Sequence, residues 1–543
     1  MDAGVAMSHA QRNTFHEEIG VPDQTFTATV RRQARDIPDR VALITPAKNW
    51  TYAELDEASN RVAQGLLALG IKAGDRVGCL TKHTAECVLL TLAALKLGAV
   101  SVPLNWRLAG PELDYVVNQN EIGFLLVDSA FAPVLEKVNL TKVKRTLLTD
   151  GTGKEETFAR WRAAHKPIDP GNEPAPDDTA LQLSSSGTTG LPKSIELSHR
   201  NLLILSREGP VQTGYQGGRY AQLNALPNYH IAGMGNVFIL FYQGGTSVLY
   251  PDFDPAQMIR AIAAHQITHV FLVPAMILFM LQVPGIDKAD FSSLQSIAYG
   301  GSPISEKVLR DALKAFGCDF YQVYGLTETT GLVTCLPPAD HVTEGPRASL
   351  LRSAGRPSTG VSVRVVDTAT GRDVADGEVG EIWIRSLQNM KGYFRNPKAT
   401  AEVFPLGRDQ HGGWFRTGDA GYLREGYVYI HDRVKDMVIS GGENIYPAEV
   451  ENALAAHPAV AEAAVFGVPD DTWGEAVKAC VVLRRGANAT EAELVEFART
   501  RLAHYKCPKS VDFAESLPRN PTGKLLKRVL REEYWAGRER RVG

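Results

Sequence analysis

Apolar positions along the chain alternate between helix-length and strand-length patterns. From about residue 25 to 125, TFTATVRRQARDIP and TYAELDEASNRVAQGLLALG carry helical spacing, while short apolar runs such as RVGCL and AVSVPLN lie between them, set off by Gly or Pro. The alternation predicts βα units. It continues through GFLLVDS, TSVLY, THVFLV and SIAYGG, near-continuous apolar runs of the kind buried on both faces of a parallel sheet. The expected fold class is α/β, with a large N-terminal domain of parallel-sheet α/β subdomains.

The texture changes over about residues 360–432, where VSVRVVD, GEIWIRS and YVYIHD place β-branched and aromatic residues against Gly and Asp turns and predict a β-rich subdomain. After it come a strand, a Gly-Gly turn, a helix and a further strand (VKDMVISGGENIYPAEVENALAAHPAVAEAAVFGVPD), then VKACVVL and the helix ATEAELVEFARTRLA. The expected division is a domain over 1–432 and a small α+β domain over 433–543. No internal repeat and no low-complexity linker interrupts it.

Composition narrows the function classes. The 543 residues, 44% hydrophobic and 22% charged, match a globular protein of several structural units at about 150 residues each, and exclude a disordered, collagen-like or coiled-coil chain. With 58 basic and 61 acidic residues the net charge is -3, so no global field recruits nucleic acid or an anionic membrane. The six cysteines, at 79, 87, 318, 335, 480 and 507, form no CxxC pair, so reduced thiols and a cytoplasmic location are expected. The first 20 residues hold no apolar h-region, and the run Val270 to Leu281 is interrupted by Pro274, so neither a signal peptide nor a membrane span is expected.

The chemistry concentrates in a few segments. TALQLSSSGTTGLPKSIELSHRN places Ser184, Ser185, Ser186, Gly187, Thr188, Thr189, Gly190 and Lys193 after a strand-like run and before a helix with Ser198 at its N-cap. Such a loop reads either as a connector or as a cradle in which backbone N–H groups, hydroxyls and one ammonium wrap phosphate oxygens. It is not a Walker A loop, because GTTGLPK lacks the GxxxxGK[ST] spacing. Four further segments follow in order: YQVYGLTETTG, GWFRTGD, DRVKDMVISGGENIYP and PRNPTGKLLKR. No Ser-His-Asp arrangement, HExxH or βαβ GxGxxG supports a hydrolase, metalloprotease or dehydrogenase.

Together these five ordered motifs resemble the adenylate-forming superfamily of acyl-CoA synthetases, adenylation domains and firefly-type luciferases, from about residue 25 to 535. The resemblance implies that Thr188, Thr189 and Lys193 hold the pyrophosphate end of ATP, with Ser185, Ser186 and Gly187 at the start of the same ATP-binding loop. Ser194 stands where the family usually has Gly. It also implies that Tyr324 stacks on adenine, Thr327 contacts the α-phosphate and Glu328 holds Mg2+; one carboxylate with phosphate oxygens suits that ion. Asp419 and Arg433 would hold the ribose. Gly300, Gly301, Ser302 and Pro303 would form the adenine and acyl-pocket wall, where absent side chains admit the ligand to the backbone.

Lys524 of PTGK would contact substrate carboxylate and α-phosphate during adenylation, an electrostatic role suited to displacement at phosphorus. The hinge would lie at 433–436, centred on Lys435; its rotation would bring Gly441 and Gly442 to the pantetheine channel. His230 would gate that channel, or would be a satisfied core histidine. The acyl pocket would include His230, Gly233, Met234, Gly235, Gly300, Gly301 and Val323, which favours a medium or long fatty acid or a hydrophobic aryl or alicyclic acid over acetate.

The activity implied is an ATP-dependent acyl-CoA synthetase using Mg2+ and CoA on a small carboxylic acid. Its alternatives are a ligase loading a carrier protein, a non-catalytic nucleotide or acyl binder, and a luciferase-like oxygenase. No nucleic acid and no integral membrane association are expected, and a homodimer remains open.

Overall fold

The computed structural model describes residues 24–151, 156–184, 192–302, 304–441, 443–519 and 525–536, without the side chains of Lys435 and Asn444. The chain divides into two compact units: residues 1–362 with 384–415, and residues 363–383 with 416–543.

The first unit is built on two sheets. In the nine-stranded one, parallel pairing runs from Asp319–Leu326 through Ser296–Gly300, His269–Leu272, Ala221–Asn224 and Thr246–Leu249 to Val41–Ile44. Antiparallel strands close it at both edges, Gly331–Leu336 and Arg356–Pro357 on one side and Asn49–Thr51 on the other. The seven-stranded sheet is parallel from Thr179–Ser184 through Val100–Pro103, Arg76–Leu80 and Ile122–Val127 to Arg145–Leu148, with Ser194–Ser198 and Gly392–Tyr393 added antiparallel. These are the strands that RVGCL, GFLLVDS, TSVLY, THVFLV and SIAYGG predict, and the α/β class holds.

The helix Ala85–Leu97 is buried on every side, so its sequence reads as a continuous apolar run and shows no amphipathic period. Its Lys96 is fully buried yet satisfied, because the ammonium donates to Asp56 Oδ1 at 2.6 Å, Ser59 Oγ at 2.8 Å and Asn60 Oδ1 at 2.7 Å. The helix His199–Gln212 starts at Ser198, the expected N-cap, whose hydroxyl accepts from Asn201 N while Asn201 Oδ1 accepts from Ser198 N.

The second unit carries a four-stranded sheet, Ser362–Val366, Gly380–Arg385, Trp414–Arg424 and Tyr427–Arg433, where the β-rich texture predicts one. A five-stranded sheet follows, in which Val460–Asp470 and Gly474–Leu483 pair antiparallel over ten positions and Ser510–Phe513 joins Gly474–Leu483 in parallel. The division expected after residue 432 lies inside this unit, within the last strand of its four-stranded sheet. All six cysteines are free. Among the described residues no helix is long and apolar enough to cross a membrane.

Candidate active site

In the first unit three parallel strands run, at their C-terminal ends, into the chemistry-bearing segments, the position at which open α/β sheets present ligand crevices. Thr179–Ser184 pairs antiparallel with Ser194–Ser198, and Ser184 lies opposite Ser194, so the hydroxyl-rich loop leaves and returns at one place. Ser185, Ser186, Gly187, Thr188, Thr189 and Gly190 lie outside the described residues. Lys193, at the base of the loop, holds its ammonium 5.0 Å from the ring centroid of Tyr393. The hydroxyl of the same tyrosine donates to Glu328 Oε1 at 3.1 Å. Tyr393 thus joins the loop lysine to the acidic residue of LTETTG. It sits in the short strand Gly392–Tyr393, opposite Ile195. Nothing in the sequence marks it, because KGYFRNP offers only an aromatic beside a glycine, and the partners lie 65 and 200 positions away.

Thr327 and Glu328 belong to a single helical turn, Thr327–Thr329, that reverses the chain between the antiparallel strands Asp319–Leu326 and Gly331–Leu336. The turn is pinned by its own hydroxyls: Thr329 Oγ1 accepts from Leu326 N at 2.9 Å, and Thr330, at φ 54°, donates to the Gln388 carbonyl at 2.6 Å. Gly325 is required there, since a Cβ would stand 1.6 Å from the Gly331 carbonyl oxygen. Glu328 is held twice, its carbonyl accepting from Met390 N at 2.7 Å and its carboxylate from Tyr393.

A cavity of about 170 Å3 begins beside this turn, at Gly301, Tyr324 and Gly325, and continues between the helices His199–Gln212 and Ile231–Gln243 and the face of the nine-stranded sheet. Gly235, Gly301 and Val323 line it, and Ser302 follows Gly301 while Pro303 lies outside the described residues. Three expected lining residues do something else. Met234 is fully buried in the core, and Gly233 seats its helix so closely on the preceding loop that a Cβ would lie 2.0 Å from the Pro227 carbonyl oxygen. Gly300 packs beneath the Val323 carbonyl, 2.2 Å from where its Cβ would be, so its missing side chain serves strand packing rather than ligand approach. The physical reason is helical phase: Ile231, Ala232, Gly235, Asn236 and Ile239 face the cavity at three- and four-residue spacing, which turns 233 and 234 away.

His230 is the N-cap of that helix, with its ring 4.5 Å from that of Tyr229. It is not among the residues lining this cavity, and its Nε2 is buried with no hydrogen-bond partner. Burial, with Arg107 adding repulsion, pushes its pKa down to about 4, so the imidazole is neutral at neutral pH.

In the second unit Asp419 and Arg433 are direct cross-strand partners, and Arg433 Nε lies 2.7 Å from Asp419 Oδ1. Arg433 Nη1 also donates to the Thr417 carbonyl at 3.1 Å. The TGD turn is supported from beneath by buried Glu381, which accepts from Arg416 Nε at 2.9 Å, Trp383 Nε1 at 3.0 Å and Gly418 N at 3.2 Å. Glu381 had no signal of its own in GEIWIRS. Lys435 lies in the single turn Val434–Asp436, and Gly441, at φ 62°, donates its N–H to the Trp473 carbonyl at 2.8 Å. Gly442 and Lys524 lie outside the described residues. The helix Lys527–Glu532 that follows Lys524 is anchored by Lys527 Nζ, 2.9 Å from both Asp432 Oδ2 and Glu451 Oε1, and by Arg531 Nη1, 3.0 Å from Asp436 Oδ1.

Residues 30–394 match the model of the AMP-binding enzyme family, and residues 449–524 match that of the AMP-binding enzyme C-terminal domain. The chain belongs to the AMP-binding enzymes. This is the adenylate-forming superfamily, and the chain falls with its acyl-CoA synthetases, AMP-forming acid–thiol ligases. Among its relatives, the fatty acid–[acyl-carrier-protein] ligase ScoC of Streptomyces coeruleorubidus is 40% identical over 96% of this chain and 98% of that one. The long-chain-fatty-acid–CoA ligase FadD13 of Mycobacterium tuberculosis is 37% identical over 93% and 98%. The crystal structure of ATP-bound MatB from Rhodopseudomonas palustris, 33% identical, superposes with a TM-score of 0.85 over 94% of this chain and 99% of that one.

One pH response of this AMP-binding enzyme follows from its buried imidazoles. Burial pushes His83, His199, His230 and His269, all in the first unit, down to about 4 from the ordinary 6.5. Below pH 6.5 the unfolded chain binds protons that the folded chain refuses, so stability present above 6.5 is lost progressively towards pH 4. Each group contributes a slope of up to about 1.4 kcal/mol per pH unit. Urea unfolding at pH 7.5, 6.5 and 5.5 should show a falling midpoint; a flat profile would show that these rings are protonated in the fold.

Proposed function

We propose that the protein is an ATP-dependent acyl-CoA synthetase for a medium- or long-chain, aryl or alicyclic carboxylic acid. Carboxylate attacks the α-phosphorus of ATP to give acyl-AMP and pyrophosphate; the CoA thiol then attacks the acyl carbonyl and AMP leaves. The observation that carries this reading is the cavity opening at Gly301 and Tyr324, directly beside the Thr327–Glu328 turn, within a chain of this family.

In this reading Tyr324 packs on adenine with Ser302 and Pro303, Thr327 contacts the α-phosphate, and Ser185, Ser186, Gly187, Thr188, Thr189 and Lys193 cradle the outgoing pyrophosphate. Glu328 fits a magnesium ion that arrives with ATP: its half-buried carboxylate spends one oxygen on Tyr393 and keeps further lone pairs, and Mg2+ takes one or two carboxylates plus phosphate oxygens. When bound, Mg2+ would neutralise phosphate charge; this chain's part is to orient it through Glu328. Asp419 and Arg433, already paired across their strands, would take the ribose hydroxyls. Lys435 would be the hinge, His230 the gate of the thiol path, and Gly441 and Gly442 its lining after rotation.

Asp419→Asn should raise the KM for ATP by about 10- to 100-fold, the loss of a charge-assisted hydrogen bond, with kcat less affected. Steady-state kinetics checks this, and an unchanged KM would remove Asp419 from the nucleotide site.

A second reading is supported by the named activity of the ScoC relative, which loads a carrier protein. The two share all adenylation chemistry and differ in the acceptor thiol. The deciding experiment is a pyrophosphate-release screen across fatty, arylalkanoic, cinnamic and alicyclic acids, followed by thioester formation with CoA and with a holo carrier protein. Acyl-CoA as the faster product upholds the first reading, acyl-carrier the second, and no pyrophosphate from any acid overturns both.

A further inference from the structure

The acyl cavity is not apolar throughout. Its end away from Gly301 is closed by Tyr220, Gln222, Asn236 and His269. Gln222 and His269 are direct neighbours on adjacent parallel strands, and Gln222 Nε2 donates to the Asn236 carbonyl at 2.8 Å and to Ser247 Oγ at 3.2 Å, so the three polar residues form one group. Asn236 is half-buried and faces the cavity from the helix Ile231–Gln243.

His269 is only 5% exposed, and its ring is held in place by Tyr220, stacked at 4.9 Å, and by the edge of Tyr215 at 5.5 Å. Its Nδ1 lies 2.7 Å from Thr268 Oγ1. The Thr268 hydroxyl is also within 3.0 Å of both the carbonyl oxygen and the N–H of Ala221, so Nδ1 is engaged in either tautomer and Nε2 is the ring atom left over. That Nε2 is buried with no hydrogen-bond partner, and burial pushes the ring down to about 4, which keeps it neutral. A buried polar nitrogen left bare costs free energy that a ligand hydroxyl would recover.

We propose that this end of the cavity selects an acid carrying a hydroxyl group on its chain or ring, bound between His269 and Asn236; the inference rests on the ligase reading above and names its substrate class. A hydroxyl both donates and accepts, so it satisfies His269 Nε2 in either tautomer while pairing with the Asn236 amide, whereas a plain hydrocarbon leaves Nε2 bare. A second carboxylate or an ammonium is disfavoured, because no Asp, Glu, Lys or Arg is among the residues lining the cavity.

Strand register sets the distance. His269 lies level with Ser296, and five residues separate Ser296 from Gly301 at the other end. At about 3.3 Å per residue this is roughly 16 Å, and removing a contact distance at each end leaves about 10 Å, an extended chain of about eight to ten carbons.

The test is adenylation, read as pyrophosphate release, with decanoate, its 8-, 9- and 10-hydroxy derivatives and decanedioate. The wild-type enzyme should show kcat/KM at least tenfold higher for one hydroxy acid than for decanoate. In His269→Leu that ratio should fall to about one, by loss on the hydroxy acid and gain on decanoate. Asn236→Leu, at a half-buried helix position, should move the ratio the same way and serves if the first variant does not fold. Preference of the wild-type enzyme for decanoate or the diacid, or an equal loss on both acids in the variants, overturns the inference and leaves the ligase reading intact. Silence with every acid, including the wider panel, overturns the ligase reading itself.

Discussion

Lys524→Ala is expected to lose acyl-AMP formation by about two to three orders of magnitude, while thioester formation from supplied acyl-AMP continues. As carboxylate displaces pyrophosphate, negative charge redistributes over the α-phosphate and the attacking oxygen, and an ammonium held there stabilises the transition state more than the ground state. The second half-reaction leaves from a different charge distribution, with a thiolate attacking carbon, and in the proposed cycle the lysine has been withdrawn by rotation at 433–436. Single-turnover pyrophosphate release measures the first half and acyl-AMP consumption by CoA the second. Equal loss in both would make Lys524 structural. Lys524→Arg separates charge from shape, because a fork-shaped guanidinium keeps the cation but not the point geometry of an ammonium.

The second large effect concerns Lys527, three positions further on. Burial alone would lower its ammonium, but the carboxylates of Glu451 and Asp432 hold it above its ordinary value, so it is charged in the fold at any ordinary pH. Glu451 also accepts from Val465 N at 2.7 Å and Asp432 from Ala448 N at 3.2 Å, so both carboxylates are fixed whether or not the lysine is present. Lys527→Met therefore strands two buried anions side by side, and the cost is about 3–5 kcal/mol. The readout is hydrogen exchange in the strand Val460–Asp470, whose protection should drop by about 100- to 1,000-fold. The triple variant with Asp432→Asn and Glu451→Gln should recover much of it, since it removes the charges and not merely their partner. Unchanged exchange in the single variant would mean that water, not Lys527, neutralises this pair.

The two lysines illustrate how unevenly the chain reveals its parts. Lys524 stands inside an ordered motif, PTGK, and is legible without any fold. Lys527 reads as one more base in KLLKRVLRE, and only the packing of its helix beside the strand Val460–Asp470, with Asp432 and Glu451 at its ammonium, shows it as a buried anchor. Tyr393 and Glu381 are of the second kind. Each gathers groups far apart in sequence, Lys193 with Glu328 in one case and the neighbouring Trp383 with Arg416 and Gly418 in the other.

The sequence by itself determined the α/β class, the change to β-rich texture near residue 360, the helix cap at Ser198 and the family. Alternation of apolar runs, capping chemistry and motif order are local properties that survive without coordinates. Only the tertiary structure decided which residues line the cavity. Gly233, Met234 and Gly235 are consecutive in sequence, but successive helical residues turn by about 100°, so one faces the cavity while the others face core and loop. The same holds for His269: in THVFLV it reads as a polar interruption of a buried strand. Pairing with Gln222, stacking on Tyr220 and a hydrogen bond to Thr268 leave it a fixed ring whose Nε2 has no partner, beside the cavity.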